Sequence, residues 1–123
     1  MIYLAIALAG ALGAISRYLF DTWVKSQTSS AFPWGTYAVN ISGSFALGVV
    51  VALALNYEIP ELFVIAVGTG FLGAYTTFSG WMVQTIQLIE SGSWTYAIHN
   101  LFGSAVTGVL AAAAGYAVVM WMA

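Results

Sequence analysis

Four long apolar stretches, separated by short polar segments, run through the whole chain. They extend over about residues 2–20, 34–55, 61–89 and 94–121. A helix needs about 20 apolar residues to cross the hydrocarbon core of a bilayer, which is about 30 Å thick. Each stretch is close to that length or longer. The pattern therefore predicts an all-α membrane protein with four transmembrane helices in a single domain.

Helix-ending residues separate the apolar stretches. Residues 25–30 (KSQTSS) predict a polar loop, and residues 56–60 and 90–93 predict two shorter connections that contain Pro or Gly. Trp94 and Trp121 lie at the two ends of the fourth stretch, where aromatic side chains are enriched at membrane interfaces. These boundaries support four separate crossings.

The third stretch is interrupted by small and hydroxyl-bearing residues, in the segment GTGFLGAYTTFSG over residues 68–80. Glycine lowers helix stability, so this composition predicts a third helix that is broken mid-membrane, between Gly73 and Thr77. Unwound backbone at bilayer depth occurs only where it is buried in protein or faces a water-filled cavity. Free carbonyls at the break can coordinate a hard cation, whereas the N-terminus of the following half-helix favours an anion. Both interpretations are open from the residues alone.

Composition excludes several classes of function. Hydrophobic residues make up 62% of the chain and charged residues only 5%, with a mean hydropathy of +0.95; soluble domains have roughly 25% charged residues. The net charge of −2 and the lack of a basic cluster argue against nucleic acid as a partner. The spans contain no paired carboxylates and no nucleophile next to a base, so an enzyme is not expected. The chain has no Cys, and His99 alone cannot form a zinc site.

The chain has too few basic residues to determine clearly which way it is oriented in the membrane. Only Lys25 in the first loop and Arg17 near the end of the first span are available. With so weak a bias, the chain can insert in both orientations and hence form an antiparallel dimer. Alternatively, a single Lys is able to fix one orientation. Arg17 either extends its guanidinium to the interface or acts within the span.

Neutral polar side chains form stripes on two spans. The stripes consist of Asn40 and Ser44 on the second span, and of Asn100, Ser104 and Thr107 on the fourth. Such donors either hold helices together or line a path for an anion that must exchange its water shell for hydrogen bonds. The residues alone leave both interpretations open.

Two further patterns are typical of packing. Small residues recur at four-residue spacing on three spans and allow close approach of helices, as at Gly10, Gly48 and Gly108. Phe78 and Trp81 are three residues apart and share a helix face. They either pack against a neighbour or present the positive edges of their rings to an anion.

Three motifs, in order along the chain, resemble those of the Fluc, or CrcB, fluoride channels. They are GAISRY at residues 13–18, GTYAVN at residues 35–40 and GFLGAYTTFS at residues 70–79. The resemblance spans the chain and implies a fluoride-selective channel that passively exports cytoplasmic fluoride and lowers its toxicity. It also implies a multi-pass protein of the bacterial inner or plasma membrane, assembled as an antiparallel, dual-topology homodimer with two pores.

The same resemblance implies roles for individual residues. A structural sodium ion at the dimer centre would be held by backbone carbonyls of Gly73 and Thr76. Arg17 matches a basic vestibule residue, and Gln84 is a neighbour of the polar track. The residues implied to line the pore are Asn40, Thr77, Phe78, Ser79, Trp81 and Ser104.

Departures from the family pattern leave an alternative open. Gly80 and Trp81 stand where the pattern has Thr and Phe, and Gln84 stands where many members have Glu. The chain would then be one subunit of a heterodimeric fluoride channel, paired with a paralogous chain and carrying one degenerate pore. A small multidrug-resistance-type transporter is a weaker alternative, because that family needs a Glu in the first span and residues 2–20 contain no acid.

Overall fold

The computed structural model describes residues 1–123 and confirms an all-helical fold with four hydrophobic spans. The first two spans are single helices, α1 (Ile2–Ser26) and α2 (Trp34–Asn56). The third consists of two half-helices, α3 (residues 61–75) and α4 (Phe78–Glu90). The fourth span is α5 (Trp94–Met122). All four are long and apolar enough to cross a bilayer.

Helix α1 continues beyond its apolar stretch, so the prediction of a loop beginning at Lys25 was wrong. Lys25 forms an ion pair with Asp21 one turn earlier, and the hydroxyl of Ser26 donates to the carbonyl of Trp23 at 2.6 Å. Interactions of this kind between residues three or four apart stabilise a polar helical turn in contact with water. The helix therefore extends past the hydrocarbon core and ends at Ser26.

Glycines bring the helices into backbone contact at two places. Between α2 and α5, a Cβ on Gly48 would collide with the carbonyl oxygen of Ala112, and one on Gly115 would collide with that of Phe45. Between α1 and α3, a Cβ on Gly13 would collide with the carbonyl of Phe71. Since apolar side chains gain little by leaving lipid for protein, such close backbone packing is a main source of helix association in membranes.

Much of the apolar surface of the subunit remains exposed. Only 18 of 123 residues are buried, and one face of α1 presents Leu4, Leu8, Leu12 and Leu19, each at least 60% exposed. These residues recur at helical spacing along α1. An uncovered apolar area of this extent requires lipid or another protein subunit as its neighbour.

The break in the third span is narrower than predicted and lies slightly later in the chain. Gly73–Tyr75 is helical, whereas Thr76 and Thr77 have extended backbone, with ψ angles of 160° and 121°. The segment before the break, Ile65–Leu72, is π-helical rather than unwound. The break lies near the middle of the span Glu61–Glu90, and therefore at mid-membrane depth. A second π-helical segment, His99–Gly103 in α5, was not predicted.

Candidate functional site

The side chain of Asn40 on α2 holds the break in the third span. Its Oδ1 accepts a hydrogen bond from the backbone N–H of Thr77 at 2.8 Å, and its Nδ2 donates to the carbonyl of Thr77 at 2.9 Å. In a continuous helix that N–H would donate to the carbonyl of Gly73. Asn40 thus replaces the lost backbone bonding of Thr77 and leaves the Gly73 carbonyl without its helical donor.

The half-helix α4 begins at this break with a capped N-terminus. Thr77 is the N-cap, and its Oγ1 accepts from the N–H of Gly80 at 3.1 Å. The first N–H groups of a helix lack intrahelical acceptors, and the helix dipole adds partial positive charge there. A 13-residue helix that starts at mid-membrane depth therefore favours an anion next to Phe78 and Ser79.

A groove of about 470 Å³ runs along the break between α2, the third span and α5, and we call it the central groove. All the predicted pore residues except Ser79 line it: Asn40, Thr77, Phe78, Trp81 and Ser104. Gly73 and Thr76, the two predicted carbonyl ligands, line the same groove. The fold therefore brings together residues that are up to 64 positions apart in the sequence.

The aromatic pair in the central groove has a defined geometry. The rings of Phe78 and Trp81 are edge to face, with centroids 5.6 Å apart and an interplanar angle of 89°. Phe78 is 70% exposed, whereas the Trp81 indole N–H donates to the backbone carbonyl of Asn100 at 2.6 Å. Trp81 is thus fixed to α5, and Phe78 is free to turn its positive ring edge towards the groove.

A second space of about 330 Å³, which we call the side cavity, contains the remaining predicted residues. Arg17, Ser79 and Gln84 line it, and Thr77 lines both spaces. Arg17 forms no ion pair or hydrogen bond within the subunit, so its donors are available to an anion. Thr77 at the break thus separates a space with an unpaired guanidinium from the central groove.

Asp21, which no sequence motif had pointed to, also lines the side cavity. Its Oδ2 pairs with Lys25, while its buried Oδ1 and the buried Oε1 of Gln84 have no hydrogen-bond partner within the subunit. Unpartnered buried acceptors are costly and are normally satisfied by water or by a donor. The i,i+4 spacing of Asp21 and Lys25 was the sequence signal for this pair.

The sequence placed Asn100 in a polar stripe but did not predict which residues it contacts. Its side chain is 1% exposed and hydrogen-bonds to Thr85 on α4, and it lies close to Ser104. Elsewhere on α5, Thr107 accepts from the Tyr37 hydroxyl at 3.0 Å and joins α2 to α5. For Asn100 and Thr107, the stripe holds helices together.

Side chains in the structure form no metal site of the usual kind. No group of three or more His, Cys, Asp or Glu residues is close enough to hold a metal ion. Backbone carbonyls are another source of oxygen ligands for a hard cation, and the break has such carbonyls at Gly73 and Thr76.

Comparison with known proteins gives one consistent result. The family model described as "CrcB-like protein, Camphor Resistance (CrcB)" matches residues 4–116. Three curated relatives are each named as the fluoride-specific ion channel FluC. The Magnetococcus marinus protein is 42% identical over 92% of this chain and 93% of its own length. The Acidobacterium capsulatum protein is 37% identical over 90% of each, and the Shewanella woodyi protein is 45% identical over 80% and 79%.

Proposed function

Because the chain belongs to the CrcB family, we propose that it is a fluoride-selective ion channel that passively exports fluoride from the bacterial cytoplasm. The observation that carries the proposal is the broken third span. Its second half-helix starts at mid-membrane depth, and its N-terminus faces a groove with an aromatic pair and hydroxyl groups. The protein is a multi-pass membrane protein of the bacterial cell membrane.

Passive conduction of fluoride requires that the protein replace water around a strongly hydrated anion. In the proposed pathway, the unpaired guanidinium of Arg17 attracts the anion into the side cavity. Ser79 and the N-terminus of α4 supply O–H and N–H donors near Thr77, and the edges of Phe78 and Trp81 supply weak positive charge beyond it. Each contact is modest, which lets an ion leave as readily as it binds. No bond is made or broken, so the function needs no catalytic residue.

Asn40 acts on this pathway chiefly by holding Thr77. Both ends of its amide are bonded to the Thr77 backbone, which leaves one Nδ2 hydrogen for an anion in the central groove. Ser104 on α5 lines the same groove and carries a hydroxyl. The proposed pore residues are therefore Asn40, Thr77, Phe78, Ser79, Trp81 and Ser104, with Arg17 at the vestibule and Gln84 beside Ser79 in the side cavity.

A structural sodium ion fits the chemistry of the break. The Gly73 carbonyl has lost its helical donor to Asn40, and Thr76 has extended backbone, so both carbonyls are available as hard oxygen ligands. Two carbonyls are too few for one ion, and a second copy would supply two more. In this proposal the ion neutralises converging carbonyl dipoles and joins two subunits at Gly73 and Thr76.

The proposed assembly is an antiparallel, dual-topology dimer. A single subunit leaves the central groove open on one side, buries few residues and has only Arg17 and Lys25 to bias its orientation. A second copy inserted upside down would close the groove and bring the two breaks together at mid-membrane depth.

Substitution Gly73→Leu is expected to prevent dimerisation while leaving the subunit folded. A Cβ on Gly73 meets only the Gly68 carbonyl oxygen, at 3.9 Å, so the larger side chain fits the subunit and projects into the groove. Size-exclusion chromatography with light scattering in detergent would show a monomer with unchanged helical circular dichroism. Ala11→Leu, on the exposed face of α1, is the matched control and should stay dimeric. A fully dimeric Gly73→Leu protein would refute the central-ion assignment.

Fluoride efflux from liposomes is the direct test of the function. Purified protein, expressed alone, should release trapped fluoride as measured by a fluoride electrode, whereas chloride-loaded liposomes should release no chloride above protein-free controls. Well-folded dimers that release no fluoride would contradict a homodimeric channel.

One observation favours the heterodimeric alternative. Trp81 stands where the family pattern has Phe, and its indole N–H is bonded to the Asn100 carbonyl, so its ring cannot turn towards an ion as a Phe ring could. Co-expression with a paralogous chain of the same organism separates the two assemblies. Fluoride release that appears only in the mixed dimer would support the heterodimer, and release by the chain alone would exclude a requirement for it.

A further inference from the structure

Asn100 is the most buried polar side chain of the subunit and lies behind the aromatic pair. It is 1% exposed, and Val39 is the only other large side chain that is fully buried. It belongs to the π-helical segment His99–Gly103, a distortion that is frequent at functional sites. It does not line the central groove, although Trp81 and Ser104, which it contacts, both do.

Hydrogen bonds fix which way the Asn100 amide points. The Thr85 hydroxyl donates its only proton to the carbonyl of Trp81 at 2.9 Å, so its oxygen is left as an acceptor. That oxygen accepts from Nδ2 of Asn100 at 2.8 Å, and the Trp81 carbonyl accepts a second, longer bond from the same Nδ2 at 3.4 Å. Oδ1 of Asn100 must then point the other way, towards the Ser104 hydroxyl at 3.4 Å.

The orientation of the amide determines where the proton of Ser104 lies. Because Oδ1 of Asn100 only accepts, Ser104 donates its proton to it across a long and therefore weak bond. An anion in the central groove must compete with Oδ1 for this proton. A binding site of this kind holds the anion weakly, as rapid conduction requires.

The backbone of Asn100 positions the second groove residue. Its carbonyl accepts from the indole N–H of Trp81 at 2.6 Å and thereby fixes the Trp81 ring at 89° to Phe78. One residue thus governs the direction of a hydroxyl proton and the plane of an aromatic ring on the same groove.

We propose that Asn100 is a positioning residue of the ion path, with Thr85 and the Trp81 carbonyl together holding its amide in place so that Ser104 binds the anion weakly. This inference rests on the proposed function. If Thr85 loses its hydroxyl, Nδ2 keeps only the Trp81 carbonyl as an acceptor and shifts towards it. The already long bond from Ser104 to Oδ1 is then weakened, and the Ser104 proton becomes available to the anion. The anion is then held more tightly.

The test is the dependence of fluoride efflux on internal fluoride concentration for Thr85→Val. The half-saturating concentration should fall by about tenfold, the effect of one hydrogen bond to a charged group, and the maximal rate should fall as well. Thr85→Ser, which keeps the hydroxyl, should behave like the parent. Thr95→Val, an exposed threonine at the start of α5, is the matched control and should also be unchanged.

A double variant separates the proposed role from a general loss of structure. When Thr85→Val is combined with Ser104→Ala, the half-saturating concentration should equal that of Ser104→Ala alone, because the hydroxyl that mediates the shift is absent. A shift that persists there, or no shift in folded Thr85→Val, would overturn the inference while parent efflux still supports the channel. Thr85→Ala replaces Thr85→Val if the valine variant does not fold.

Discussion

Alanine at position 40 is expected to reduce fluoride efflux by roughly 100-fold or more, the effect of losing two partly buried hydrogen bonds that each contribute about 1–3 kcal/mol. Asn40 bonds both backbone groups of Thr77 at the break. Without it, the N–H and carbonyl of Thr77 lose the partner that fixes their position at mid-membrane depth. The start of α4 would shift, and the donors aimed at the groove would shift with it.

Asn56→Ala is the control for this prediction. Asn56 lies on the same helix, and its Nδ2 donates to the carbonyl of Ala52 at 2.9 Å, at the water-exposed end of α2. Its replacement should leave efflux within about twofold of the parent, since the Ala52 carbonyl keeps the backbone N–H of residue 56 as its helical donor. Liposome efflux, normalised to the amount of dimer, measures both variants. Equal efflux from Asn40→Ala and Asn56→Ala would show that the hydrogen bonds between Asn40 and Thr77 have no part in conduction.

Asn40→Asp divides the contribution of the two bonds. Aspartate keeps an acceptor for the Thr77 N–H but loses the donor to the Thr77 carbonyl, and it adds negative charge to the central groove. Efflux should be reduced at least as far as in Asn40→Ala, because the added charge repels the anion. Efflux restored by aspartate would indicate that only the acceptor matters.

Gly115→Ala is expected to destabilise the fold by about 1–3 kcal/mol or more, the usual cost of overfilling a packed interface. A Cβ there would overlap the carbonyl group of Phe45, which is backbone and cannot rotate away. Helices α2 and α5 must then separate. Thermal unfolding in detergent, followed by helical circular dichroism, should show a lower midpoint and a lower yield of folded protein.

The matched control, Gly103→Ala, makes the same chemical change on the same helix. A Cβ on Gly103 meets no atom within 4 Å, and alanine has a higher helix propensity than glycine. Its unfolding midpoint should be unchanged or slightly higher. If Gly115→Ala were as stable as Gly103→Ala, the close contact between α2 and α5 would not be a determinant of the fold.

The sequence predicted the four spans because bilayer thickness imposes a length that a single chain must satisfy locally. The ends of the spans were less predictable. Helix α1 extends to Ser26 because Asp21 and Lys25 stabilise a turn outside the apolar stretch, and hydropathy does not detect such a turn. Short polar stretches thus distinguish poorly between a loop and a helix that continues into water.

Most of the predicted site residues do meet in space, yet the sequence did not predict how each is bonded. Trp81 and Asn100 are 19 positions apart, and their contact depends on the packing of α4 against α5. Asn100 was placed in a stripe whose purpose was open, either packing or an anion path. In the structure, Asn100 is buried and contacts two residues that line the central groove without lining it itself.

The break in the third span shows which features the sequence predicts and which depend on the tertiary structure. Its existence was predicted from Gly, Thr and Ser at the middle of the third stretch, because Gly strongly, and Thr and Ser more weakly, lower helix stability. Its position at Thr76 and Thr77, rather than from Gly73 onward, was decided by Asn40, 37 positions earlier in the chain, which supplies the hydrogen bonds that an interrupted helix lacks. The sequence by itself therefore determined four hydrophobic crossings with one weak point. Only the tertiary structure decided where the helix opens, because a partner for unpaired backbone at mid-membrane depth has to come from a neighbouring helix.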